Sequence, residues 1–565
     1  YYYIQSGKFL PFFSHVDANG HFLVSAAGWL SFKFFGSSTL ALRLPSVFAF
    51  VVLCFGVYKV NSLFNGWLQK VVFSGAFILS FNFISFFSLC RGYGISMAFL
   101  VLALYYFFVY IKYTSFRHFL KFVLFIQLAL SANLTLVFVC ILTTVILVFF
   151  QFKKFVFLTI KILILLLMHV GLLVFWIKYA FYLQHNGALY YGEGDSYWQT
   201  TFVSLIETVF LKSVIANVIV CTLILLMSLY WCYRIWKEKM NFLFTSNFSI
   251  AFVTLAILIL AFYLLKLIFK VNYPEDRTGL FFYVFFIFSL AFMINEIKKS
   301  FQLYFIVVPA FFILQWLVSF NLMVHPWRIY ETMPHSFFNT LVEEQAKVDY
   351  PISVSGHRVR EFFYGFLNYN SEIKLSHCTA GEALQMNCDY AIAYKQDKPY
   401  YERYYSELAT DNYWNFTLIK RRSPLERKLL FKAENKEFNA NYEYYNFFEK
   451  LDTTFNSVNP LVAEFDFDME KAPIPFDAWL VLQIDADDPV NNLSVRTPLN
   501  LIKYDWNGTK KFRTCIVSGT IPLKIKRIVA YLWNIDKQEI KLKVNSFKIS
   551  SLQGEGINEI SKAKL

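Results

Sequence analysis

Three short polar breaks in an otherwise apolar half-chain hold most of the side chains that can do chemistry. The first, Asp17-Ala18-Asn19-Gly20-His21, offers a carboxylate, an amide, a titratable imidazole and a glycine that permits a tight turn. The second, Cys90-Arg91-Gly92-Tyr93-Gly94, sets a guanidinium beside two glycines that allow close approach, an arrangement suited to a lipid phosphate. In the third, Pro274-Glu275-Asp276-Arg277-Thr278, an arginine oriented by a neighbouring carboxylate can hold a phosphate or diphosphate leaving group. Each has a plainer alternative: a solvated connector, an arginine snorkelling to headgroups, and an exposed ion pair of little energetic value. A fourth break, Glu193-Gly194-Asp195, can complete an acidic cavity or bind a cation, although a solvated loop is the simpler reading. Arg43, in Ala41-Leu42-Arg43-Leu44-Pro45, begins an apolar run and reads as a helix-positioning residue.

The elements that must position these groups follow from where carboxylates are missing. Of the 39 acidic residues in 565, eight fall in the first 321: Asp17, Glu193, Asp195, Glu207, Glu238, Glu275, Asp276 and Glu296. Carboxylates are expensive in hydrocarbon, so a chain that lives there excludes them unless they have a task. Apolar runs long enough to cross a core of about 30 Å appear at about 39–60, 71–89, 93–111, 155–183, 203–233, 247–270, 279–296 and 301–321, with a shorter hairpin at 118–132 and 135–151. That makes about ten spans. Segments 1–13 and 22–35 are amphipathic and suit helices lying in the interface. Lys70, the Lys112/Arg117/Lys121 group, Lys153/Lys154, the Arg234/Lys237/Lys239 group and Lys298/Lys299 fill one alternate set of breaks. The other set holds Arg91, then Glu193 and Asp195, then Glu275, Asp276 and Arg277, which places that second set, residues 1–38 and everything after 321 outside the cytoplasm.

Composition excludes several classes. The chain is 57% hydrophobic and 20% aromatic, with a mean hydropathy of +0.44. Its net charge of +14 comes from cations at the ends of apolar runs, not from a patch with interleaved aromatics, so nucleic acid is a poor partner. No Gly-rich phosphate loop, metal-ligand spacing or serine nucleophile elbow is present, which disfavours ATP or a nucleotide sugar as a direct substrate. Cys54, Cys90, Cys140, Cys221 and Cys232 read as small apolar packing residues; Cys378 and Cys388 form either a disulfide or two free thiols.

After His325-Pro326 the composition becomes that of a soluble protein. Residues 322–425 alternate helical and strand patterns (Phe337–Val348, Ile352–Val354, Val359–Leu367, Ile373–Ser376, Tyr390–Tyr394, Trp414–Lys420), predicting a small α/β domain. Residues 426–565 show period-2 stretches at Leu461–Phe467, Ala478–Ile484, Lys511–Ser518, Arg527–Trp533 and Lys541–Ile549, with turns such as Asn507-Gly508, predicting a β-sandwich. The expected divisions are thus 1–38 juxtamembrane, 39–321 transmembrane bundle, 322–425 α/β domain and 426–565 β-sandwich.

The order Asp17-Ala18-Asn19-Gly20-His21-Phe22-Leu23, then Phe34-Phe35-Gly36 and Ala41-Leu42-Arg43-Leu44-Pro45-Ser46, then Arg91-Gly92-Tyr93-Gly94 resembles the GT-C glycosyltransferases. Within them it is similar to the protein O-mannosyltransferase and lipid A aminoarabinose transferase type, dolichyl-phosphate-mannose mannosyltransferase-like; the resemblance covers about residues 1–321. It implies a GT-C-like polytopic helical fold and transfer of a sugar from a polyprenyl-phosphate donor, without nucleotide, on the outer face of the membrane. It also implies two juxtamembrane helices after a first span, and a catalytic carboxylate at the outer end of that span. Here this carboxylate is expected upstream of Tyr1, on one further N-terminal helix, with Asp17 as the stand-in base within the sequence. His21 stands where relatives carry a Lys-Pro or His-Pro pair near the lipid phosphate, with Phe22 in place of the proline. Arg91 and Arg277 match basic positions near the donor phosphate, and Asn19, Tyr93 and Asp276 complete the donor-binding set. No metal ligand is implied, and divalent-cation dependence stays open. Partners are membrane lipid, the polyprenyl-phosphate donor, a glycan, lipid or protein acceptor, and other subunits of a membrane complex. The expected setting is a bacterial inner membrane with the C-terminal domains in the periplasm. The alternative is a non-catalytic scaffold or glycan-binding subunit on the same fold; a transporter is disfavoured by the lack of an internal repeat.

Overall fold

The computed structural model describes residues 4, 7–13, 16–17, 20–153, 160–189, 192, 194, 196–210, 214–320, 332–357, 361–381, 384–454, 458–470, 478–499, 509–521, 523–535 and 537–557. Asn19, Lys154, Glu193, Asp195, the His325-Pro326 junction and the Asn507-Gly508 turn lie outside them. The chain divides into two compact units, Tyr1–Met323 and Val324–Leu565.

The first unit is a bundle of apolar helices, and the protein is an integral membrane protein. Among the described residues, Thr39–Asn61, Gly92–Tyr113, Leu134–Gln151, Ile160–His185, Val214–Glu238, Asn247–Phe269, Asp276–Glu296 and Lys299–Ser319 are long and apolar enough to cross a bilayer. Trp67–Ile78 and Phe81–Ser88, bent by 48°, make a ninth when counted as one span, and Phe116–Ala132 adds a helix of 17 residues. Gly92–Tyr113 and Asp276–Glu296 stand at the centre, almost wholly buried, while most of the others expose an apolar face of the kind lipid covers. Phenylalanines make the packing: Phe288 and Phe292 interlock with Phe108, Phe73 and Phe64 at centroid distances of 4.7–5.9 Å. With acids so scarce, hydroxyls do the capping; Ser38 accepts from the Ala41 N–H and Ser246 from the Ser249 N–H. Two of the eight carboxylates close around one arginine, Arg234 reaching Glu238 at 2.8 Å and Glu296 at 3.3 Å. A buried histidine is satisfied as well. His169 takes Gln127 on Nδ1 at 2.9 Å and meets the Thr144 hydroxyl with Nε2 at 2.8 Å, tying three helices together.

Two expectations for this unit fail. Residues 7–13 form no helix; a turn closes from Phe13 N–H to Leu10 C=O. The 203–233 run is not one span: a π-turn at Trp198–Val203 and a short helix at Ser204–Val209 end at an extended Phe210, and the long helix starts at Val214. Phe22–Phe35 is a helix as expected, too short to span.

In the second unit a five-stranded sheet runs in the order β2-β1-β3-β5-β4, from β1 (Val354–His357), β2 (Cys378–Gly381), β3 (Tyr390–Tyr394), β4 (Tyr405–Asp411) and β5 (Phe416–Arg421). β1, β2 and β3 are parallel and the rest antiparallel. Phe337, Leu341, Tyr364, Val354 and Ile392 belong to one core that joins the sheet to the His335–Gln345 and Glu361–Asn370 helices. The second strand expected at 373–376 forms five residues later. The strands β6 (Glu426–Ala440), β7 (Tyr444–Thr454), β8 (Leu461–Glu470), β9 (Ala478–Ala486), β10 (Leu493–Pro498), β11 (Thr509–Val517), β12 (Lys524–Asn534) and β13 (Ile540–Gln553) build two antiparallel sheets, β10-β9-β12-β7 and β11-β8-β13-β6. Alternate residues such as Phe447, Phe465, Phe467 and Phe547 pack ring against ring between them.

Cys378 and Cys388 remain free thiols, so no disulfide forms. β1 stands between β2 and β3, with Val354 paired to Cys378 on one side and to Tyr390 on the other. Cys378 and the start of β3 are thus two strand spacings apart, about 10 Å, beyond the roughly 7 Å a disulfide spans between Cα atoms.

Glu344 anchors the His335–Gln345 helix to the sheet. It takes Lys347 at 2.5 Å, Lys420 at 2.5 Å and the Tyr390 hydroxyl at 2.7 Å. Burial alone would raise its pKa, but the hydrogen bonds from Lys347, Lys420 and Tyr390 outweigh it and hold the carboxyl at about 2. A depressed carboxylate stabilises the fold above its unfolded value of 4.5 and loses that contribution as pH falls toward about 2. Glu344→Gln is expected to lower stability at pH 7 by about 1 kcal/mol. It should also flatten the acid limb between those two values, read by thermal unfolding of the detergent-solubilised chain across pH.

Candidate active site

The Phe22–Phe35 helix begins at His21, which is its N-cap residue, and the Gly92–Tyr113 helix begins at Arg91. The two helix starts are pressed together through a glycine. A Cβ on Gly92 would lie 1.9 Å from the Ala132 carbonyl oxygen and 2.8 Å from Cγ of His21, so only a bare Cα fits. The His21 ring hydrogen-bonds the Ala132 backbone and stands edge-on against Tyr93, centroids 5.2 Å apart at 75°. Its Nε2 is sealed from solvent without a hydrogen-bond partner among the described residues. Burial is the largest influence on this imidazole, and Arg91 adds to it. Arg277 acts in the same direction and Asp17 opposes, leaving the pKa at about 4. His21 is therefore neutral at pH 7, with two guanidiniums and one carboxylate within electrostatic reach. Gly92→Ala is expected to cost 1–3 kcal/mol or more, because the nearest obstacle is backbone and cannot rotate away; the thermal midpoint of the solubilised chain reads it.

Arg277 arrives from the other end of the sequence. Asp276 adopts a left-handed φ of 49° and opens a 3-10 turn, Asp276–Gly279, that leads into the central helix. The turn aims Arg277 at Tyr93: Nε donates to the Tyr93 hydroxyl at 3.3 Å and the guanidinium sits 5.6 Å from the ring centre. Asp276 also reaches the Ser204–Val209 segment. Its N–H donates to Ser204 Oγ at 2.9 Å and its carboxylate accepts from Thr208 at 3.4 Å. The Arg277 guanidinium thus meets Tyr93 while staying within electrostatic reach of the Asp276 carboxylate. Glu275 holds the neighbouring loop, accepting the Gly192 N–H at 2.9 Å, while Tyr273 N–H donates to Gly192 C=O at 3.0 Å. Gly192, at φ +80°, has no room for a Cβ, which would meet the Tyr273 carbonyl at 1.9 Å.

The fold thus gathers Asp17, His21, Arg91, Tyr93 and Arg277, while Asp276 lies on the Ser204–Val209 side of its turn. Asn19 falls outside the described residues. Ser204, Thr208 and Gly192 were missed by sequence reasoning; the Gly192-Glu193-Gly194 triplet was the available signal for the last. Among the described residues no cluster of His, Cys, Asp and Glu is arranged to hold a metal ion.

No protein-family description and no curated protein matches the chain. Among solved structures it is similar to infectious bursal disease virus Gt strain, with 9% identity over 27% of this chain and 40% of that one, at a TM-score of 0.18. It is similar to ArnT from Cupriavidus metallidurans in the apo state, with 9% identity over 70% of this chain and 87% of that one, at a TM-score of 0.30. It is also similar to arabinosyltransferase EmbB from Mycobacterium smegmatis, with 11% identity over 98% of this chain and 62% of that one, again at 0.30. The chain spans less than two thirds of the first and third of these structures. Scores this low carry no argument about activity, which rests on the residues themselves.

Proposed function

We propose that this membrane protein is a GT-C-type glycosyltransferase that moves a sugar from a polyprenyl-phosphate donor to an acceptor on the outer face of the membrane. The observation that carries the reading is the convergence of Arg91 and Arg277 on a neutral His21 beside Tyr93, at the ends of apolar helices. Transfer breaks the bond from the anomeric carbon to the phosphate oxygen as an acceptor hydroxyl attacks that carbon; polyprenyl phosphate leaves with the electron pair. Two guanidiniums stabilise that developing charge, which is where an enzyme gains most. A carboxylate takes the acceptor's proton, and Asp17 is the described candidate for that role. Tyr93 positions Arg277, and His21 is uncharged while the site is empty.

That last property gives a sign. A bound phosphate raises the pKa of His21 from about 4, so binding takes up a proton and donor affinity should rise as pH falls from 7 toward 5. His21→Gln should flatten the slope, read by donor titration at several pH values. The reading itself is tested by reconstituting the chain in vesicles with a radiolabelled polyprenyl-phosphate sugar and a panel of acceptors. Transfer supports it; retention of the label on the lipid with every acceptor, while donor still binds, would favour a non-catalytic subunit. A periplasmic setting for the C-terminal domains belongs to the same proposal, supported by the alternation of basic and acidic breaks.

A further inference from the structure

We propose that the outer face of the β10-β9-β12-β7 sheet binds a neutral glycan chain, on a platform built by Tyr444, Trp533 and Trp479. The register places these three side by side on adjacent strands, Tyr444 opposite Trp533 and Trp533 opposite Trp479. They lie on the face turned away from the sandwich core: the intervening positions Tyr445, Leu532 and Leu480 are fully buried between the sheets. The rings of Tyr444 and Trp533 are within 14° of parallel, centroids 6.4 Å apart, and Tyr444 is 51% exposed. The next row along the strands carries Tyr531, Val481 and Arg496. Two outward valines, Val481 and Val529, are only 2% and 1% exposed. The large side chains beside them must therefore lie down over the sheet, which makes a broad floor instead of separate knobs.

The chemistry around the floor selects the occupant. Cross-strand aromatic pairs stabilise a sheet by themselves, but that alone does not require half of a tyrosine to stay wet. Sugar rings present polarised C–H groups on their flat faces and hydroxyls at their rims. The negative face of an aromatic ring attracts the former, and neutral hydrogen-bonding groups take the latter. Those groups are here: the Tyr531 hydroxyl donates to Gln483 at 3.2 Å, with Asn446 and Ser494 exposed nearby. The charges of this face are largely matched within it, Arg527 pairing with Glu449 at 2.9 Å and Gln483 donating to Asp485 at 2.8 Å. Arg496 lies over Trp479 at 5.1 Å. A nucleic acid or an anionic bilayer would ask for several cations in a row, and the register puts Arg496 and the Glu449-paired Arg527 in separate rows.

The outer face of the partner sheet shows what a merely solvated surface of this sandwich looks like. There Asp466, Asp468 and Glu470 alternate along β8, and Asp466 and Glu470 are met by Lys511 and Lys541 at 3.3 and 3.1 Å. One face is an ion ladder and the other an aromatic floor.

The inference stands apart from the transferase reading, and its test separates the two. The solubilised full-length chain is run in affinity electrophoresis against β-1,4-glucan, β-1,4-mannan, β-1,3-glucan and α-1,4-glucan. Retardation by at least one polysaccharide is expected, weakened tenfold or more by Trp479→Ala or Trp533→Ala and unchanged by Lys511→Ala on the other face. Tyr444→Ala removes an exposed ring with little risk to folding and should weaken binding severalfold at an unchanged thermal midpoint. No retardation by any of the four, or retardation that persists in the double tryptophan variant, overturns the proposal. So does light scattering that shows paired chains which Tyr444→Ala separates, since the face would then be an interface between copies. Sugar transfer to a short acceptor is expected to survive these substitutions, so either reading can fail alone.

Discussion

Arg277→Ala is expected to cut the rate of sugar transfer by a factor of a hundred to a thousand, with donor affinity falling less. Removing one preorganised donor aimed at developing charge costs about 10²–10³ in kcat, because the group acts in a site that excludes water and needs no reorganisation. The proposed transferase reading assigns Arg277 to such a role. Its Nε is held on the Tyr93 hydroxyl at 3.3 Å and its plane lies near the ring. Arg277→Lys should recover little, since a lysine keeps the charge but not the planar fork that donates sideways to Tyr93 while facing a phosphate. Tyr93→Phe removes the hydroxyl and leaves the ring, so its loss should be smaller, about tenfold. Arg91→Ala should fall between, as Arg91 adds charge to the same site and also starts a helix. Single-turnover transfer in vesicles separates the chemical step from binding. Full activity in Arg277→Ala would sink the phosphate assignment.

The membrane half was legible because the cost of a carboxylate in hydrocarbon is paid residue by residue, so the absence of acids marks spans directly. The break after Val209 was not legible as a helix end, because residues on both sides are apolar; Glu207 and Lys212 were the signal, and they were read as belonging to a span. The strands with period-2 stretches, such as β8 and β9, were found near their true positions. β7 was missed, since the register slips where Tyr531 pairs with Asn446 and its burial pattern loses period 2 after Phe448. At the candidate site the residue types were visible and their partnerships were not. Nothing local in the sequence joins Tyr93 to Arg277, 184 residues away, or says that Gly92 is a glycine because the Ala132 carbonyl lies against it. The adjacency of Asp276 and Arg277 pointed to an ion pair, and the two stay within electrostatic reach, but the long-range partners each also finds, Ser204 and Thr208 for Asp276 and Tyr93 for Arg277, were not visible.

Arg427→Ala is expected to destabilise the C-terminal unit by about 3–5 kcal/mol, the cost of leaving buried charges uncompensated. Arg427 begins β6 and ties the α/β domain to the sandwich. Nη2 reaches Asp389 at 2.8 Å, Nη1 reaches Glu464 at 2.5 Å, and the guanidinium lies 4.2 Å from the centre of the Tyr350 ring. All three charged side chains are only 10–16% exposed, so water cannot take over when the arginine goes. Asp389 is further committed, because the same Oδ2 accepts from the Ser353 N–H at 2.9 Å and the Ser353 hydroxyl at 2.8 Å. Two carboxylates would then face each other in a half-dry seam. Against a total stability of about 5–15 kcal/mol for a domain, that is a large share. The mechanism has a signature that simple loss of packing lacks. Adding Asp389→Asn and Glu464→Gln to Arg427→Ala removes the stranded charges, and the triple variant should recover much of the loss. Urea-dependent pulse proteolysis of the solubilised chain, followed by cleavage within residues 332–557, reads both effects. A triple variant no more stable than the single would mean that Arg427 acts through its stack on Tyr350 and not through its charge.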